Sequence, residues 1–328
     1  METNISVVGS IALDTLETPK GNQNDMLGGS ATYFAIAASK FSPVEVIGIV
    51  GDDFPNEGWN VFNSNNINHE NIIRAKGKTF KWGGRYNQDY STRDTLFTEL
   101  GVFEHFSPQI KNTKNNNGIL FLANIHPSLQ LDVLNKMAKN ISLVVSDTMN
   151  LWIDLDIMGL HEVIKKSNIF LLNDEEAIQL TKTSDLIHAG KKILHMGPDA
   201  VIIKMGAKGA LLVTKNDTKK IPCIPNVDVY DPTGAGDSFA GGLIGYLSKY
   251  DDNIMEALLY ASSVASFLAS SVAAGCSPSF GASPSAPASA PSPVSSAGFS
   301  GSLTTVGAAT VAITKSLPVI VGETFSGN

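Results

Sequence analysis

Asp231-Pro232-Thr233-Gly234-Ala235-Gly236-Asp237-Ser238-Phe239 is the stretch from which the rest of the chain is best read. It follows Val227-Asp228-Val229-Tyr230, which reads as a strand, and precedes an apolar helix in which Phe239, Leu243, Tyr246 and Leu247 share a face. Small residues at a helix start leave several backbone N–H groups accessible. With the positive end of the helix dipole, those donors suit a phosphate that gains negative charge during transfer. Asp237 falls on the first turn beside them. A carboxylate there can accept the proton of an attacking hydroxyl, a role worth on the order of 10²–10⁴ in rate. A lone Gly-x-Gly-Asp would read as a tight turn with an aspartate cap; the full string asks for more.

Working outward, residues 5–13 read as a buried strand, Val44 to Val50 as another, and Ala31 to Lys40 as a helix between them. The rhythm resumes with strands at Gly118–Ala123, Leu143–Ser146, Ile169–Leu172 and Ala200–Lys204, and helices at Gln130–Lys139 and Glu175–Thr181. Strand alternating with helix predicts a doubly wound α/β fold: a mainly parallel sheet flanked by helices. Residues 15–27 and 78–103 interrupt it. The second stretch alternates apolar or aromatic with polar residues (Phe80, Trp82, Tyr86, then Leu96 and Phe97), as half-exposed antiparallel strands do. Both stretches are expected to form a small projecting sheet; a plain surface hairpin is the simpler alternative.

The composition excludes several classes. The chain has 328 residues, 43% hydrophobic and 17% charged, enough for one large α/β domain or two modest ones. A formal net charge of -7 argues against a nucleic-acid partner, which needs a basic face. Cys223 and Cys276 are the two cysteines and make no C-x-x-C pair, so neither a disulfide framework nor a structural zinc site is expected. No export signal or membrane-spanning run is read, and a cytoplasmic location with no membrane partner is the expectation.

The end of the chain differs in kind. Ser277 to Ala297 is dominated by serine, proline and alanine. Between Glu256 and Glu323 no acidic residue occurs, and Lys315 is the one basic residue. Such a composition cannot bury enough apolar surface to order itself. Residues 1–272 are therefore expected to be one domain, and 273–328 an atypical low-complexity segment, disordered or the product of a change of reading frame.

The motif at 231–239 resembles the C-terminal signature of the ribokinase-like (PfkB) carbohydrate kinases, with Pro232 where threonine is usual. The resemblance implies that Asp237 is the catalytic base and that the backbone of Gly234, Ala235 and Gly236 forms the anion hole. Gly28-Gly29-Ser30-Ala31 is similar to the family's N-terminal glycine pair at the substrate. Asp14, at the end of the first strand, matches the aspartate that holds substrate hydroxyls; taken alone, it would read as a turn former. Tyr33 stands where many members carry asparagine. Asn173 and Glu176 match an Asn-x-x-Glu motif that arranges Mg²⁺; taken alone, they read as an acidic helix start. Lys204, Gly206, Gly209 and Asp231 are implied to border the nucleotide, although Lys204 could be a solvated strand end.

The family likeness runs over roughly residues 4–267 and implies ATP and Mg²⁺ as cofactors and a sugar or sugar-like acceptor. The alternatives are a nucleoside kinase of the same fold, or a catalytically weak protein that binds a sugar or nucleotide. Residues of about 12–30 and 78–103 would form the family's β lid, which excludes water from the reaction. The aromatic residues Phe80, Trp82, Tyr86 and Tyr90 would line the substrate side or a lid–lid homodimer contact. His126 and the Asp52-Asp53 pair are expected to be structural.

Overall fold

The computed structural model describes residues 3–90, 92–111, 118–250 and 253–271, all within one compact unit. The low-complexity segment lies outside the described residues. The chain begins with β1 (Ile5–Val8), β2 (Ala12–Thr18), β3 (Gly21–Gly28), α1 (Ser30–Ala38), β4 (Val44–Gly51) and α2 (Asn56–Ser64). It continues through β5 (Ile72–Ala75), β6 (Phe80–Tyr86), β7 (Arg93–Glu99), β8 (Gly118–Leu122), α3 (Pro127–Met137) and β9 (Ile141–Ser146). Next come α4 (Asn150–Leu155), α5 (Ile157–Lys166), β10 (Ile169–Asn173), α6 (Asp174–Thr181) and α7 (Leu186–Leu194). β11 (Ala200–Lys204), β12 (Ala210–Thr214), β13 (Thr218–Ile221), α8 (Ala235–Tyr250) and α9 (Ile254–Ser271) complete the order.

The expected α/β architecture is present. A nine-stranded sheet runs β13-β12-β11-β10-β9-β8-β1-β4-β5, parallel except where β12 and β13 are added antiparallel at one edge. Its central strands are apolar on both sides because both faces are covered. Ile5 and Val7 pack into a core with α1 and α8, while Val8, Leu120 and Leu122 pack on the other face with Val133 and Leu134 of α3. Phe34 of α1 stacks on Phe121 of β8 at 4.3 Å, both fully buried. Truncation of Phe121 to alanine is expected to cost about 3–5 kcal/mol, read as a lower urea midpoint with an unchanged slope.

The two interrupting stretches do form a second sheet, in the order β3-β2-β6-β7. The predicted single strand over 5–13 is corrected. The chain leaves the large sheet after Val8, turns through Gly9, Ser10 and Ile11, and enters the small sheet at Ala12. The break is fixed by reciprocal bonds: Ser10 N–H donates to Ser30 Oγ at 3.2 Å, and Ser30 N–H donates to Ser10 Oγ at 3.0 Å. Asp14 accordingly lies in β2, paired with Met26 and Trp82, and not at the end of the first strand. A second correction concerns Val227 to Tyr230, which forms no strand and ends in a bend.

Candidate active site

The carboxyl ends of β9, β10 and β11 deliver Asp147, Asn173 and Lys204 to one edge of the large sheet, where open α/β sheets place their sites. The first turn of α8 adds Asp237. Lys204 Nζ bonds Asp147 Oδ2 at 2.5 Å, and both side chains are largely buried. The same ammonium lies 3.4 Å from where a Cβ on Gly236 would sit, so it stands beside the glycine turn and is not a solvated strand end. Burial pulls the Lys204 pKa down, but the charges of Asp147, Glu176 and Asp237 outweigh it and hold the ammonium charged.

Carboxylates outnumber cations here. Burial pushes Asp237 up to about 7, with Asp147 adding to the rise and Lys204 opposing it. Glu176 is pushed up to about 7 by the same causes in the same order. Asp237 is thus poised near neutrality, where a general base works best.

The turn before α8 hinges on one residue in a conformation that glycine takes easily. Gly234 has φ +72°, and a Cβ there would meet the Tyr33 ring at 2.3 Å. The predicted trio of amides needs one change. Ala235 N–H donates to Pro232 O at 3.0 Å and closes the turn. Among the described residues, the N–H groups of Gly234, Gly236 and Asp237 have no partner within the protein, so these are the donors the turn offers.

Gly28 and Gly29 admit the chain's own groups. A Cβ on Gly28 would strike Asp14 Oδ2 at 1.9 Å, and one on Gly29, at φ +95°, would strike Ser10 O at 2.4 Å. Burial pushes Asp14 up to about 7 against a hydrogen bond from the Gly29 backbone. The Tyr33 phenol lies among Asp14, Asp231, Asp237 and Tyr86; burial and these neighbours hold it well above the usual range, so it acts only as a neutral hydroxyl.

The remaining sequence-predicted residues each make local contacts or turns. Asn173 and Glu176 cap one another: Asn173 N–H donates to Glu176 Oε2 at 2.7 Å, and Glu176 N–H donates to Asn173 Oδ1 at 2.8 Å. Asp231 is buried and accepts from Thr233 N–H at 2.9 Å. Gly206 and Gly209 take positive φ in the turn between β11 and β12. His126 caps α3 and Asp53 accepts from Thr79, as expected of structural residues. Sequence reasoning missed Asp147 and Arg93. Arg93, on β7, stacks on the Trp82 ring at 4.7 Å, and its charge opposes the rise at both Asp14 and Asp237.

Among the described residues, no three His, Cys, Asp or Glu side chains converge as a ready metal-ligand set. The excess of carboxylates over cations still suits a divalent ion that takes its remaining ligands from phosphate and water. No described helix is long and apolar enough to cross a membrane.

Comparison with known proteins bears on the fold and the family. Residues 3–279 match the profile of the pfkB family carbohydrate kinases. Over 248 residues the chain is 28% identical to a cytidine kinase of Thermococcus kodakarensis, covering 74% of this chain and 88% of that one. The crystal structure of a Methanocaldococcus jannaschii nucleoside kinase, a ribokinase-family member, superposes with a TM-score of 0.67 at 25% identity, covering 82% of this chain and 92% of that one. An aminoimidazole riboside kinase from Salmonella enterica, solved with aminoimidazole riboside and an ATP analogue, superposes at 0.66 with 21% identity, covering 81% and 93%.

Proposed function

The chain belongs to the pfkB family of carbohydrate kinases, ATP-dependent phosphotransferases with an alcohol acceptor, and from that premise we propose that it phosphorylates the primary hydroxyl of a nucleoside. One observation carries the reading: a carboxylate held near neutrality on the same helical turn as three unpaired N–H groups. Asp14 holds ribose hydroxyls, Asp237 draws off the proton of the attacking hydroxyl, and the Gly234, Gly236 and Asp237 amides with Lys204 receive the migrating phosphoryl group. Positioning and electrostatics supply most of the rate in such transfers. Magnesium, when bound, would neutralise phosphate charge, with Glu176 and Asp147 as the chain's contribution.

A nucleoside is favoured over a free sugar by the aromatic residues about the site: Tyr33 stands beside Asp14 and Asp237, and Tyr86 and Tyr90 pack on one another. The cytidine and nucleoside kinases among the relatives support the same choice. The test is ADP release with cytidine, adenosine, ribose, fructose and 2-keto-3-deoxygluconate at equal concentration. Turnover should be highest with a nucleoside. Turnover with ribose or fructose and none with either nucleoside would replace this reading with that of a sugar kinase.

A further inference from the structure

The segment leading into Gly234 has no strand to belong to, and what holds it in place is instructive. On one side, Tyr230 and Asp231 N–H donate to Ala269 O of α9 at 2.9 and 3.2 Å. On the other side the ties come from two hairpins of the small sheet. At the β2–β3 turn, Lys20 Nζ donates to Asp228 Oδ1 at 2.8 Å and Val229 O at 3.0 Å, and Tyr230 Oη donates to Lys20 O at 3.3 Å. From β6, the Tyr86 hydroxyl shares a hydrogen bond of 2.9 Å with Thr233 Oγ1.

These ties are unequal. Asp228 is 86% exposed, and an ion pair in water contributes little. The Tyr86–Thr233 bond is buried at both ends, where loss of one partner strands the other. Tyr86 is itself braced: it is the cross-strand partner of Arg93, which stacks on Trp82. Thr233 is the last residue before Gly234, so its backbone sets the direction of the Gly234 N–H. Glycine at φ +72° resists little on its own, so that direction has to be imposed from outside.

We infer that Tyr86 is a positioning residue for the phosphate-binding turn: the small sheet, when seated, fixes the N–H groups of Gly234 to Asp237 through the Tyr86–Thr233 bond. The inference rests on the phosphoryl-transfer reading of that turn, and it deepens it. Stabilisation of the migrating phosphoryl group would be complete only with the acceptor already enclosed. An unseated sheet would leave the amides poorly aligned, and water would then be a poor acceptor.

The first test needs no substrate. Amide hydrogen exchange of the whole ligand-free chain is compared between the wild type and Tyr86→Phe. Exchange in peptides covering 227–238 should quicken about fivefold, the factor one net hydrogen bond makes in a local opening equilibrium, with β1 and β8 unchanged. Thr233→Val should give the same change, and the double variant no more than either single one. The second test uses whichever acceptor of the panel turns over fastest. For Tyr86→Phe, kcat should fall about fivefold or more with the KM for ATP unchanged, as expected of an interaction expressed only in the transition state. Unaltered exchange in 227–238, or exchange quickened equally throughout the chain, would overturn the inference. A chain that phosphorylates no acceptor, yet shows the local change, would instead remove the kinase reading and leave the contact's ordering role standing.

Discussion

Replacing Asp237 with asparagine is expected to lower kcat by about 10²–10⁴ while leaving the KM for ATP close to its wild-type value. Asparagine keeps the shape of the side chain and its place on the first turn of α8, but cannot take a proton. The wild-type rate should climb as pH rises through about 7, because burial holds Asp237 there and only the ionised form is a base. Asp14 and Glu176 are also pushed to about 7, so the profile belongs to the group and not to one residue. The variant should lose the part of the limb that Asp237 supplies. Stability should move the opposite way. A carboxyl whose folded pKa is raised binds its proton more tightly when folded, so its contribution is fully present below the unfolded value of 3.8 and is lost as pH rises from there through about 7. At pH 8 the ligand-free variant should therefore unfold at a higher urea concentration than the wild type. Wild-type turnover in Asp237→Asn would remove the residue as the base.

The second large effect is expected at Lys204. Methionine there keeps most of the stem but deletes the cation bonded to Asp147 and flanked by Glu176 and Asp237. A buried charge stripped of its partner costs about 3–5 kcal/mol of stability. If Lys204 contacts the migrating group as proposed, losing that contact should cost about 10²–10³ in kcat/KM for ATP. The stability loss should shrink below pH 7, where the carboxylates can take up protons. Adding Asp147→Asn to Lys204→Met should restore part of the stability, because the stranded carboxylate is gone. It should restore none of the rate. A double variant recovering both would mean that Lys204 acts only through the fold.

Much of this arrangement was legible in the amino-acid order, and the exceptions have physical causes. The 231–239 string and the strand–helix rhythm report local chemistry, so the fold and the turn of α8 could be read. Ile5 to Leu13 is mostly apolar, and its Gly9-Ser10 interruption alone does not reveal that the run serves two sheets; the break depends on Ser30, twenty residues from Ser10. Val227 to Tyr230 has strand-like residues, but its partners are side chains of the small sheet and the end of α9, which no periodicity encodes. Asp147 carries no motif. Its signal was positional, an acid just past the carboxyl end of a parallel strand, and it becomes meaningful only when β11 brings Lys204 alongside. The family likeness implies Ala235 as an anion-hole donor, yet its N–H closes the tight turn on Pro232 O, a use that a motif alone does not show.

Because β2 belongs to the small sheet and α8 to the large one, Asp14 and Asp237 ride on different bodies of the same domain. The chain passes between those bodies more than once, and the first two passages, Gly9 to Ile11 and Gly29 alone, are too short to act as slack tethers. Any tilt between the sheets would therefore translate directly into the gap between Asp14 and Asp237, the residues proposed above to hold the acceptor and to deprotonate it. Acceptors of different length could then be sorted by how far the tilt must go, much as jaws are matched to a workpiece.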